Sequence, residues 1–115
     1  RRVRYDRQRL SEESSVYENG GLRIDYAAGC VYLDGSEIHL TPIEYKLLVL
    51  LAKNTGKVLT HNYILREVWG NPTASDMQSL RVYMATLRKK LEKNTSEPKY
   101  IQTHIGIGYR MLRNQ

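Results

Sequence analysis

At Leu40 the hydrophobic periodicity of this chain changes from two to 3.6, which restricts it to a fold that joins a small sheet to a helical bundle. The change is sharply punctuated. Thr41 is placed to N-cap, Pro42 suits the first helical position, Glu44 stands three after the cap to return a hydrogen bond, and Leu40 and Tyr45 form a hydrophobic staple. A helix is therefore predicted to start at Pro42. Its apolar face is Ile43, Leu47, Leu50 and Leu51, widened by Leu48, and Asn54-Thr55-Gly56 is its stop. On the N-terminal side, Leu22, Ile24 and Tyr26 alternate with Arg23 and Asp25, while Cys30 to Leu33 and Ser36 to Leu40 flank Asp34-Gly35. That dipeptide between alternating runs predicts a type I′ hairpin, whose two central residues need positive φ.

Beyond the first helix, Lys57-Val58-Leu59 reads as a short extended link, and Thr60 caps a second helix carrying Ile64, Leu65, Val68 and Trp69, closed by Gly70. A loop over 70–75 containing Pro72 leads to a third helix, roughly Asp76 to Lys93, in which Leu80, Met84, Leu87 and Leu91 form the core stripe. Lys99 to Thr103 and Ile107 to Leu112 then form a hairpin around His104-Ile105-Gly106. The expected order is antiparallel sheet, three helices, terminal hairpin, an α+β arrangement.

Composition removes several alternatives. In 115 residues with 41% hydrophobic content there is material for one globular core. Residues 1–19 carry Arg1, Arg2, Arg4, Arg7 and Arg9, then Ser11 to Ser15, and almost nothing to bury, so they read as a linker or arm preceding a domain over 20–113. A single cysteine, Cys30, forms no bridge within the chain and on a strand reads as a small buried hydrophobe. His39, His61 and His104 lack metal-ligand spacing, and no cofactor or metal is expected. With no apolar run near the length of a membrane span, the chain is expected to be soluble and cytoplasmic. It opens without Met in a run of charge, as a piece of a longer protein would.

The 18 basic and 12 acidic residues leave a net charge of +6, and its placement matters more than its size. On the third helix, residues 76–93 hold five basic and two acidic side chains. Opposite the core stripe lie Gln78, Val82, Ala85, Thr86, Lys89 and Lys93, with Arg81 and Arg88 on one flank and Tyr83 and Lys90 on the other. Small side chains mixed with long cations suit the major groove. Val82, Ala85 and Thr86 are candidates for thymine methyls, Gln78 for an adenine edge, Arg81 and Arg88 for guanine or phosphate, and Lys89, Lys90 and Lys93 for phosphate. Ser79 completes the candidate set on the helix, and Thr103, His104 and Arg110 form a second group on the hairpin. Tyr109 is expected to face inward, and Trp69 to fill space between helices. No catalytic constellation is present: the serines lie in linkers and loops, and no histidine has an orienting partner. The competing reading is a protein-interaction module whose basic helix docks an acidic partner. RNA is weaker again, because no aromatic platform for bases is evident.

Taken together, Leu40-Thr41-Pro42-Ile43-Glu44-Tyr45-Lys46-Leu47-Leu48, Gly56-Lys57-Val58-Leu59-Thr60, Val68-Trp69-Gly70, Leu80-Arg81-Val82-Tyr83-Met84, Leu87-Arg88-Lys89-Lys90-Leu91 and Gly106-Ile107-Gly108-Tyr109-Arg110 resemble the DNA-binding effector domain of OmpR/PhoB-type response regulators over about residues 20–113. Within that family the Leu-Arg-Val-Tyr-Met run and the Gly-Ile-Gly-Tyr-Arg ending are most similar to regulators of potassium transport. The resemblance implies a winged helix-turn-helix with a four-stranded N-terminal sheet, the third helix as recognition helix and the hairpin as wing. It also implies a receiver domain absent from this chain, phosphorylated by a sensor histidine kinase, homodimers on tandem half-sites of double-stranded DNA, and an RNA polymerase contact by the loop over 70–75. Two positions depart from the family pattern. Where many members carry an arginine just before the wing's first glycine, this chain has Ile105, and Ala85 and Thr86 stand where arginines are common. Both lower the charge offered to DNA and shift the expected contacts toward methyl packing, with phosphate contacts from Thr103, His104 or Arg110.

Overall fold

The computed structural model describes residues 15–114, which divide between His39 and Leu40 into two compact units. In the first, β1 (Val16–Asn19), β2 (Leu22–Asp25), β3 (Cys30–Leu33) and β4 (Ser36–Ile38) form an antiparallel sheet in sequential order. The expected alternation is present: Leu22, Ile24 and Val31 are buried, while Arg23 is exposed, near Glu18 at 3.9 Å and over the Tyr32 ring at 5.9 Å. Asp34 and Gly35 take φ of 51° and 86°, as a type I′ turn demands.

Two expectations are corrected in this unit. Val16–Asn19, counted with the linker on composition, is a strand paired with β2. Its polar letters hid it, because Glu18 lies on the exposed side. The rest of the expected linker, residues 1–14, lies outside the described residues. Cys30 is half-buried rather than buried, since the pleat that turns Val31 inward turns its neighbour outward, where Sγ lies 3.7 Å from the Ala28 carbonyl oxygen.

The second unit, Leu40–Asn114, contains α1 (Pro42–Lys53), β5 (Val58–Thr60), α2 (His61–Trp69), α3 (Ala74–Leu91), β6 (Ile101–His104) and β7 (Gly108–Met111). α1 begins with the predicted capping box: Thr41 Oγ1 accepts from the Glu44 N–H, and Glu44 Oε1 accepts from the Thr41 N–H at 2.9 Å. Thr60 caps α2 by accepting from the Tyr63 N–H. Leu47, Leu48, Leu51, Ile64, Leu80, Met84, Leu87, Leu91, Ile101 and Met111 are all essentially inaccessible. Ile43 and Leu50 lie at the margin, half-buried.

The expected link at 57–59 is in fact a strand. β5 pairs with β7, and the terminal hairpin becomes a three-stranded sheet in the order β5-β7-β6. Gly108 makes this pairing possible, because a Cβ there would fall 1.8 Å from the Leu59 carbonyl oxygen. α3 runs two residues earlier at both ends than its pattern suggested. At the start Thr73 takes the cap position and donates its N–H to Asp76 Oδ2 at 2.7 Å, so Asp76 is the N3 partner and not the first residue. At the end Glu92 turns to an extended conformation, and its carboxylate accepts the N–H groups of Lys99, Tyr100 and Ile101 at 2.7, 3.0 and 2.8 Å. Among the described residues no helix is long and apolar enough to cross a membrane.

Candidate nucleic-acid interface

The core stripe of α3 at 80, 84, 87 and 91 is repeated two residues earlier by Gln78, Val82, Ala85 and Lys89, on the opposite side of the helix. All four are exposed, and Val82 retains 53% of its accessible surface although it is β-branched and apolar. This is a narrow, low-bulk ridge ending in a lysine. Arg81 is also exposed and makes no ion pair with a described residue, Glu67 included. Arg88, Lys89 and Lys90 occupy the last turn, where cations complement the helix dipole.

Both flanks of the ridge are engaged by neighbours. Tyr83 is half-buried with its ring 6.4 Å from that of Trp69, which holds α2 to α3 as the spacing suggested. Ser79 Oγ points back to the Ser75 carbonyl at 3.4 Å. Thr86 and Lys90, both candidates for DNA contact, are bound to α1 in this structure: Thr86 Oγ1 donates to Glu44 Oε2 at 2.5 Å, and Lys90 Nζ to Glu44 Oε1 at 2.7 Å. The physical reason is burial, since the Glu44 side chain is only 3% exposed and a carboxylate so placed must be paired. Burial alone would raise its pKa; the Lys90 ammonium, the Thr86 hydroxyl and the Thr41 N–H reverse that and hold it at about 2. This clamp was not evident in the sequence beyond the capping box.

On the other flank Arg88 donates from Nη1 to Thr103 Oγ1 at 3.2 Å and from Nη2 to the Thr95 carbonyl at 2.7 Å. It is a strut between α3 and the wing, which makes it a weaker candidate for a base edge than Arg81. Within the wing, Gln102 Oε1 accepts from Arg110 Nη2 at 2.6 Å and lies 3.1 Å from His104 Nε2, so Arg110 and His104 converge on one amide. Tyr109 is buried as expected, edge-on to His61 with ring centroids 5.5 Å apart. Burial raises its phenol pKa, against the lowering influence of the nearby Arg81 and Arg88 charges. At the tip, Ile105 and Ile107 are 92% and 54% exposed, so the wing presents hydrocarbon where a cation would give charge.

A family model described as "Transcriptional regulatory protein, C terminal" matches residues 35–111. The transcriptional regulatory protein KdpE of Mycobacterium tuberculosis is 45% identical over 98 residues, covering 85% of this chain and 43% of that protein. The chain thus spans less than half the length of this curated relative. Response regulator DrrB of Thermotoga maritima, described as an OmpR/PhoB homolog, superposes with a TM-score of 0.80 at 33% identity, over 91% of this chain and 48% of that one. The Klebsiella pneumoniae RstA DNA-binding domain, solved in complex with the RstA box, superposes with a TM-score of 0.77 at 29% identity, over 84% of this chain and 96% of that domain. Fold, motif order and sequence similarity agree: the chain belongs to the family of transcriptional regulatory protein C-terminal domains, the effector domains of OmpR/PhoB-type two-component response regulators.

Proposed function

We propose that this domain binds double-stranded DNA sequence-specifically, with α3 in the major groove, and thereby controls transcription. The observation that carries the reading is the exposed ridge Gln78, Val82, Ala85 and Lys89, directly opposite a fully buried stripe. Val82 and Ala85 suit thymine methyls, Gln78 an adenine edge and Arg81 a guanine edge, while Lys89 suits phosphate. On the wing, Thr103, His104 and Arg110 are the candidates for phosphate. Action is by binding, without turnover.

In the longer protein, the segment before β1 would join this domain to a receiver phosphorylated by a sensor histidine kinase, in the cytoplasm. Receiver pairing would place two effector domains on tandem half-sites, and the loop over 70–75 would meet RNA polymerase. The similarity to KdpE favours potassium-uptake genes as the regulated set.

Fluorescence anisotropy tests the core of this reading, using a duplex selected from a random pool and a scrambled duplex at matched salt. At least tenfold tighter binding to the selected duplex, about 1.4 kcal/mol, is expected. Equal affinities with equal salt dependence would instead favour a general polyanion surface, of the kind that docks an acidic protein.

A further inference from the structure

Three cationic side chains close the C-terminal turn of α3: Arg88 and Lys90 are hydrogen-bonded to other parts of the fold, whereas Lys89 makes no such bond to a described residue. Lys90 is drawn sideways onto a carboxylate that also carries the N-terminal cap of α1 and the Thr86 hydroxyl. Both Glu44 oxygens are used, and the two α3 residues they bind are one helical turn apart, so the carboxylate fixes the rotation of α3 about its axis as well as its distance from α1.

Building on the DNA-binding reading, we propose that Glu44 is a positioning residue for sequence readout: it sets the rotation of α3 and withholds Lys90 from the phosphate backbone. A cation that meets phosphate adds affinity for every sequence equally, because phosphates carry no sequence information. Holding Lys90 aside keeps that indiscriminate contribution low and leaves the contacts of the ridge to decide the site. Glu44 therefore acts on the ratio of specific to non-specific binding, without touching DNA itself.

The test uses this 115-residue chain, with salt titrations of binding to a selected and a scrambled duplex. Glu44→Gln keeps one acceptor oxygen for the Thr41 N–H and turns an amide N–H toward the Thr86 hydroxyl oxygen, which can still donate to the Tyr83 carbonyl, but it loses the charge that retains Lys90. Its slope of log affinity against log salt on scrambled DNA should steepen by about 0.9, and its scrambled-DNA affinity should rise roughly fivefold at 0.1 M salt. Selectivity should fall by a similar factor. In Glu44→Gln combined with Lys90→Gln, the slope should return to that of the unaltered chain. Lys90→Gln alone provides an independent arm, because its amide still donates to Glu44: its slope should match the unaltered chain. A Lys90→Gln slope shallower by about 0.9 would show that Lys90 already meets phosphate, and an unchanged slope in folded Glu44→Gln would show that it gains no such contact. Either overturns the proposal. Failure of the unaltered chain to prefer its selected duplex would instead count against the DNA-reading itself.

Discussion

Single side chains in this domain act through groups far away in sequence. Glu44 was recognisable as the N3 member of a capping box, because that pattern is local; its bonds to Thr86 and Lys90 span 42 and 46 residues, and no local pattern encodes them. Its depressed pKa gives the domain a defined acid response. The folded value of about 2 lies below the ordinary 4.5, so the stabilisation is complete above the ordinary value and is lost as pH falls from there through 2. Urea midpoints should therefore fall more steeply over that window in the unaltered chain than in Glu44→Gln; parallel curves would contradict the assignment. Gly108 has a different kind of constraint. Its place in a glycine motif was visible, but the need for it comes from β5, which read as a connector because three residues are too few to show alternation. With the Leu59 oxygen in the way, Gly108→Ala should destabilise the domain by about 3 kcal/mol or more, measured by urea denaturation.

At the scale of elements, the helices were legible because each carries its own start signal and a 3.6-residue stripe. The four-residue strand β1 was not: its alternation is too short to stand out, and only pairing with β2 reveals it. The end of α3 is similarly non-local. Glu92 looks like one more charge on a helix face, but it caps the backbone that leads into β6. Replacing it with Ala leaves three N–H groups without their acceptor, at a cost of about 2 kcal/mol, and the amides of Lys99, Tyr100 and Ile101 should exchange faster with solvent than in the parent. Unchanged protection would remove Glu92 from the link between α3 and the wing. By contrast, Thr60→Ala removes a local cap from α2 and should cost about 1 kcal/mol in a urea titration.

For the whole molecule, the net charge of +6 suits a polyanionic partner, but selectivity has to come from where the cations and small side chains stand. The exposed ridge could be foreseen from helical periodicity alone. The side chains withdrawn from it, Thr86 and Lys90 to Glu44 and Arg88 to Thr103, became evident only with the tertiary contacts. Val82→Ser should accordingly lower affinity for the selected duplex by about 1 kcal/mol and leave scrambled-duplex binding unchanged in a competition assay. The most direct measurement is a methyl and amide NMR titration of the domain with its selected duplex. Resonances of Gln78, Val82, Ala85 and Lys89 should shift first and furthest, ahead of those of Arg23 and Tyr32 on the exposed face of the β1–β4 sheet. Shifts concentrated on that sheet, with Val82 and Ala85 unmoved, would contradict binding through α3.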